Sequence, residues 1–373
     1  MAQEPEPPPA QPELAWKDPG VGAVRAEVCQ VQSTRQETVL LFGTRQPPQA
    51  RAREERYRLE RRIILSPLMA KQLAAALANV LREHDAQVGS LDATPAGRAG
   101  PPPGPADVPA GAESMFSLVG GLGIGFGFER SFKLSAGGVR ADRLILGVKR
   151  DSADPGALMQ VCRALGMREA QLAMFAEQLP EANTVGFGYE GGARGGVYKV
   201  YLEFWDRLRA RVQRDPGNVA PEMLFLGFKW EAADGARSAL ATYICHPLLS
   251  VRGIGERLER LYEGRAGDAS LDAAREILAL AARRVPAYSF VYVEASEKGN
   301  PRKSFDLNFY KAGLRVADLR PALAALAGRY GIARDALEEI MAQAGARPFG
   351  HLSGGAGRDG GDFLTVYYEL EGI

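Results

Sequence analysis

The sequence is short of the residues that make most recognisable chemistry. It has only three histidines, His84, His246 and His351, in three distant regions, and no HExxH or His/Cys cluster, so no metal site is expected. Its three cysteines, Cys29, Cys162 and Cys245, form no CxxC pair. That argues against a disulfide framework and fits a reducing cytoplasm. The longest apolar run, Met115 to Phe128, is full of glycine and falls short of the roughly 20 residues a membrane helix needs. MAQEPEPPPAQPE has neither the basic nor the apolar region of a signal peptide. A surplus of charge is missing too: 46 basic and 45 acidic side chains leave a net charge of +1, without the footprint of a nucleic-acid or membrane-surface binder. No GxSxG elbow, Walker loop or DDxxD motif occurs. The partners expected are small molecules or proteins.

What the chain does have is internal repetition. Gly166 to Phe204 and Gly331 to Leu370 share a glycine-led helix, a turn, a strand, a Gly-rich bend and a second strand, and both end in a Tyr-x-Glu-hydrophobe step (Tyr201/Glu203/Phe204 and Tyr367/Glu369/Leu370). Such a unit cannot bury its own apolar face and must close against copies of itself. With 46% hydrophobic residues in 373, the chain suits one large repeat domain and a smaller companion.

Residues 1–20 are rich in Pro and Glu and read as a disordered tail. Residues 21–90 read as a small β/α accessory domain, with strands over Val24 to Val31, Glu37 to Phe42 and Arg56 to Leu65 and a helix over Pro67 to His84. Ser66 is its expected N-cap, with proline in the first turn. The stretch RRIILSPLMAKQLAAALANVLREHDAQVG resembles a small bacterial family of unknown function, which implies no chemistry and suggests an accessory or docking module; a purely structural cap is the other reading. Residues 91–113 form a Pro-rich linker: Thr94 to Ala112 holds six prolines and almost no charge.

From 114 to 373 five β-hairpins are predicted: Phe116 to Leu134 with Arg143 to Lys149, then Thr184 to Phe204, Met223 to His246, Tyr288 to Tyr310 and Phe349 to Leu370. Helical patterns fill Gly156 to Leu179, Val251 to Arg284 and Val316 to Gln343, and Asp206 to Pro221 has room for one short helix. The fold class is α+β. Five helix/hairpin repeats can close as a ten-stranded antiparallel barrel with helices outside, which removes the sheet edges. A strongly curved open sheet competes with it.

Period-two alternation separates the two faces. In VYKVYLEF, Tyr198, Val200, Leu202 and Phe204 turn toward the helices, and Lys199, Tyr201 and Glu203 turn the other way. The other return strands give Ala241 and Tyr243, Asn308 and Tyr310, and Thr365 and Tyr367. Four equivalent tyrosines would ring a barrel interior, where phenol faces can surround an apolar or cationic group.

With these steps and five repeats, the region from about 115 to 373 resembles the ABBA-type aromatic prenyltransferases, a family of ten-stranded antiparallel barrels. The resemblance implies transfer of a prenyl group from a prenyl diphosphate, the co-substrate, to an aromatic small molecule or peptide, with no strictly required metal. It places Lys199 and Asn308 on the diphosphate and Tyr201, Tyr243, Tyr310 and Tyr367 around the allyl cation. Lys229, Arg143, Lys149 and Arg347 are further candidates for the diphosphate, and Glu129 for the base. Fewer cations stand at the repeat-equivalent positions than a diphosphate calls for, so a second reading is a barrel that binds a ligand or a protein partner and catalyses nothing.

The glycines of GGLGIGFGF recur with period two, unlike a phosphate loop, and on a strand would strip one face of side chains. GGARGG and GGAGRDGG read as hairpin bends. Adjacent on a strand, Cys245 and His246 point to opposite faces and make no dyad.

Overall fold

The computed structural model describes residues 26, 28–33, 37–45, 57–74, 77, 108–109, 111–192, 195–214, 220–235, 237–264, 269–285 and 287–371. The tail expected over 1–20 and most of the linker expected over 91–113 lie outside these. The chain divides into two compact units, Met1–Thr94 and Pro95–Ile373.

The first unit is a three-stranded antiparallel sheet in the order β1 (Val28–Ser33), β2 (Thr38–Arg45), β3 (Tyr57–Leu65). A helix, α1, follows over residues 67–74, where the Ser66 hydroxyl accepts from the Met69 amide at 3.2 Å. Val31, Leu59, Ile63, Ile64, Leu68 and Met69 are exposed.

The second unit is a closed barrel. Its hairpins are β4 (Gly127–Ser135) with β6 (Arg143–Lys149), β7 (Thr184–Glu190) with β8 (Val197–Glu203), β9 (Glu222–Glu231) with β10 (Ser238–Cys245), β11 (Val291–Glu297) with β12 (Lys303–Asn308), and β13 (Phe349–Ala356) with β14 (Asp362–Glu371). Each strand pairs antiparallel with its neighbours, and β14 returns to β4, with Leu364 opposite Leu134 and Tyr367 opposite Ser131. Ten strands therefore close without an edge. A short extra strand, β5 (Gly138–Arg140), extends the β4 hairpin.

Outside lie α2 (Glu113–Gly120), α3 (Pro155–Ala164), α4 (Glu169–Gln178), α6 (Val251–Tyr262), α7 (Ala269–Ala282), α8 (Arg320–Arg329) and α9 (Arg334–Ala344), whereas α5 (Trp205–Arg214) packs against lumen-facing strand residues. Asp154 caps α3 on the Ala157 amide with Pro155 in the first turn, and Ser250 caps α6 on the Gly253 amide. Outward strand residues such as Phe132, Phe187 and Phe228 are fully buried beneath these helices. Each contributes roughly 2 kcal/mol in area removed from water. The single short helix expected after Asp206 is α5, which packs Leu208, with Trp205 and Val212, against Tyr243, Cys245, Val293 and Ala295.

Three expectations are corrected. The first hairpin does not begin at Phe116: residues 113–120 are helical, because Met115 and Val119 share one buried face. GGLGIGFGF is not a strand, since Gly121 to Phe126 form a turn and coil, with Gly123 at φ +69°, and only its last two residues, Gly127 and Phe128, enter β4. Tyr310 is not on a strand either: β12 ends at Asn308, whose Oδ1 accepts from the Tyr310 amide at 3.2 Å and starts a 3₁₀ turn.

Candidate functional site

Register fixes which side chains share the lumen, because residues directly opposite in an antiparallel ladder lie on the same face. Arg143, Ile145, Gly147 and Lys149 face Glu190, Gly188, Gly186 and Thr184. These continue to Lys199, Tyr201 and Glu203, and then to Lys229, Gly227 and Phe225. Across the closing seam Ser131 faces Tyr367, which faces His351.

Near the hairpin turns the lumen is basic. Lys199 and Arg143 both pair with Glu190; Arg143 Nη1 stands 2.5 Å from it, and Arg143 Nε donates to Ser131 Oγ at 3.1 Å. Lys229, 1% exposed, pairs with Glu297, which also accepts from Arg302 Nη1 at 2.8 Å and from Arg358 Nε at 2.7 Å. Lys133 Nζ lies 4.4 Å from the centre of the Phe363 ring. Burial pushes Lys133 down; Glu190 offsets this, while Arg143 and Arg302 add to it. Lys133, Arg143, Lys199, Lys229 and Arg302 thus act on one another around Glu190 and Glu297, the two carboxylates that pair with them among the described residues, with Arg358 reaching in from the rim.

Burial of Lys199 dominates its titration and, with Arg143 and Arg302 nearby and Glu190 opposing, brings it down to about 7. Burial and Arg302 push Lys229 well below the usual range, with Glu297 opposing. Burial alone would raise Glu190 and Glu297, but the surrounding cations outweigh it and hold both carboxyls low.

Below this cluster sits an aromatic belt. The Tyr201 and Tyr243 rings meet edge to face at 5.9 Å, and Tyr243 meets Phe225 at 5.8 Å. Lys229 Nζ and Arg302 Cζ stand 5.8 and 6.0 Å from the centre of the Tyr243 ring. Glycine makes the belt fit: a Cβ on Gly227 would stand 3.1 Å from the Tyr201 ring and 3.2 Å from Tyr243. Burial raises Tyr201 well above the usual phenol range and raises Tyr243 as well. Beside the belt, Ala241, Cys245, Val293 and Ala295 make an apolar wall. Burial pushes the Cys245 thiol up to about 12, which keeps it from acting as a nucleophile.

At the opposite end, where the strands join the helices, the lumen is acidic. His351 Nδ1 lies 2.9 and 3.0 Å from the two Asp306 oxygens, and its Nε2 lies 3.2 Å from Glu129 Oε2. The Tyr310 hydroxyl donates to Glu129 Oε1, and His351 stacks on Tyr367 at 3.8 Å and 11°. Burial would lower His351, but Asp306 and Glu129 outweigh it and bring it up to about 10. Trp205 Nε1 donates to Glu203 Oε2 at 2.7 Å; burial, with Glu129 and Asp306 nearby, raises the Glu203 carboxyl.

Of the residues singled out from sequence, Lys199, Lys229, Arg143, Tyr201, Tyr243 and Tyr367 come together in one lumen, and Glu129 and Tyr310 meet at its acidic end. Asn308 stands with this acidic group, opposite His351, away from the cations. Lys149 is exposed at the rim, because it is the last residue of β6. Arg347 pairs with Glu369 at 2.6 Å, and the φ of +63° at Glu369 breaks the register of β14 there. Lys133, Glu190, Glu297, Arg302, Asp306 and His351 are additional. Lys133 and Asp306 have a sequence signal in period-two alternation from Glu129 and Asn308; a bulge between Phe349 and His351 puts those two on opposite faces, so alternation along β13 from Phe349 misses His351, and Arg302 lies in a turn. Among the described residues no three of His, Cys, Asp and Glu are placed to share a metal ion, and no helix is long and apolar enough to cross a membrane.

Residues 1–93 match the family described as "Protein of unknown function (DUF3467)". No curated protein matches the chain. Among solved structures, the chain is similar to a 5-dimethylallyltryptophan synthase from Streptomyces coelicolor, at 16% identity and a TM-score of 0.46 over 65% of this chain and 80% of that one. It is also similar to a 6-dimethylallyltryptophan synthase from Micromonospora olivasterospora, solved with DMASPP and Trp, at 17% identity and a TM-score of 0.43 over 65% and 81%.

Proposed function

We propose that the barrel binds a prenyl diphosphate in the basic end of its lumen and transfers the prenyl group to an aromatic acceptor. The observation that carries this reading is the convergence of Lys133, Arg143, Lys199, Lys229 and Arg302 around Glu190 and Glu297, the two carboxylates that pair with them among the described residues, beside Tyr201 and Tyr243. Two arginines and three lysines whose charged forms burial disfavours suit a multiply charged anion, which would favour those charged forms. In the reaction the allylic C–O bond breaks and its electron pair leaves with the diphosphate. The cations stabilise that leaving group, and the phenol faces of Tyr201 and Tyr243 shield the allyl cation. A π pair of the acceptor ring forms the new C–C bond. The proton on that ring carbon passes to the Glu129 carboxylate, restoring aromaticity.

The full chain, incubated with dimethylallyl or geranyl diphosphate and a panel of indoles, phenols and aromatic peptides, is expected to release diphosphate and add one prenyl mass to an acceptor. Diphosphate-dependent binding without any product contradicts transfer. That outcome favours the second reading, a ligand-binding barrel, whose support is the ion pairing itself. Glu190 already answers Lys199 and Arg143, and Glu297 answers Lys229 and Arg302, as in an interior filled by a charge network.

A further inference from the structure

His351 takes no direct part in the transfer as written, yet it is among the most constrained side chains in the lumen. Its two ring nitrogens face two carboxylates on different strands: Asp306 on β12 through Nδ1 and Glu129 on β4 through Nε2. Tyr367 on β14 lies flat against the ring, and the Tyr310 ring stands 6.0 Å away. A ring with a carboxylate at each nitrogen is satisfied only when both nitrogens carry a proton, so that each donates. The charged groups around it are Asp306, Glu129 and, from β8, Glu203; the phenols are Tyr310 and Tyr367. Glu129 in turn accepts from two donors, Tyr310 on Oε1 and His351 on Oε2, and its side chain is 8% exposed.

We propose that His351 is a positioning residue for the transfer: anchored by Asp306 and Tyr367, it aims the Glu129 carboxylate at the acceptor ring. This rests on the transferase reading. Asp306 fixes the ring through Nδ1, the stacked Tyr367 prevents it from rotating, and the Nε2–H then sets where Glu129 Oε2 stands. His351 keeps its protons throughout, and the proton leaving the acceptor goes to Glu129 alone. The imidazolium persists to about pH 10 because Asp306 and Glu129 outweigh its burial.

Two measurements on the full chain test this. The first is independent of turnover: with three histidines in the sequence, the imidazole nitrogen resonances of His351 are those lost in His351→Gln. They are expected to stay doubly protonated through pH 9, and in Asp306→Asn their midpoint should fall by a pH unit or more. A wild-type midpoint near the ordinary 6.5 overturns the clamp.

The second is turnover on the acceptor found with the prenyl diphosphate. His351→Gln is expected to lower kcat on the order of 100-fold while leaving the donor KM within about twofold. In Asp306→Asn the alkaline limb of the rate should move to lower pH with the imidazole midpoint. If His351→Gln fails to fold, Asp306→Asn alone decides. An unchanged kcat, or an effect confined to the donor KM, overturns the positioning role. A wild-type chain that turns over no acceptor sinks the transferase reading and with it the positioning role, while the titration still upholds or overturns the clamp by itself.

Discussion

At the residue scale, Lys199 offers a test of anion binding that needs no product. Burial has brought its titration down to about 7, so at pH 8 a large part of the population is neutral. A bound diphosphate would favour the ammonium. Donor binding at pH 8 should therefore take up protons, seen as a dependence of the calorimetric heat on the ionisation enthalpy of the buffer, and the uptake should be smaller in Lys199→Ala, with Lys229 and Lys133, also lowered by burial, supplying the remainder. His351 provides the complementary stability test. Its folded midpoint, about 10, lies above its ordinary 6.5. The stability it contributes is full below about 6.5, declines as pH rises and is gone above about 10. The Tm difference between the wild type and His351→Gln should shrink over that window. The alternation in VYKVYLEF is enough to place Lys199 and Tyr201 together, because period two is a local property. His351 looks isolated in the sequence because its partners are 45 and 222 residues away. Arg302 lies in a turn, where alternation does not apply.

At the scale of the element, the glycines of the lumen strands decide where the rings lie. Gly227→Ala would bring a Cβ to 3.1 Å from Tyr201 and 3.2 Å from Tyr243, so both rings must shift by a few tenths of an ångström. The expected result is weaker donor binding with a stability loss of about 1–3 kcal/mol, read by titration and by denaturant midpoint. Glu203 and Glu369 end equivalent repeats, yet only Glu203 stays with the acidic cluster. The positive φ at Glu369 turns its carboxylate to Arg347 and Arg130. Repetition in sequence makes the two look alike, and a single backbone dihedral separates them. The glycines of GGLGIGFGF mislead in a similar way: period two suggests a strand, but α2 precedes them and the chain must turn back to enter β4.

At the scale of the whole molecule, the five-repeat count makes a ten-stranded closure legible, since five hairpins have no other way to remove both edges. What periodicity leaves open is whether the last strand meets the first. The pairing of β14 with β4 from Phe363 opposite Ser135 to Glu371 opposite Phe128 closes the barrel. Backbone amides of β4 and β14 should therefore exchange as slowly as those of β8 and β9, whereas an open sheet would leave its two terminal strands exchanging fast. Closure is also what brings Lys133 on β4 and Glu190 on β7 into one lumen with Arg302. The measurement that tests the account most directly is calorimetric titration of the full chain with dimethylallyl thiolodiphosphate, a non-hydrolysable donor mimic. The account predicts micromolar binding, weakened about tenfold or more in Lys133→Ala, as loss of a charge-assisted contact implies. A folded wild-type chain that binds no diphosphate, or binds it equally well without Lys133, would contradict it.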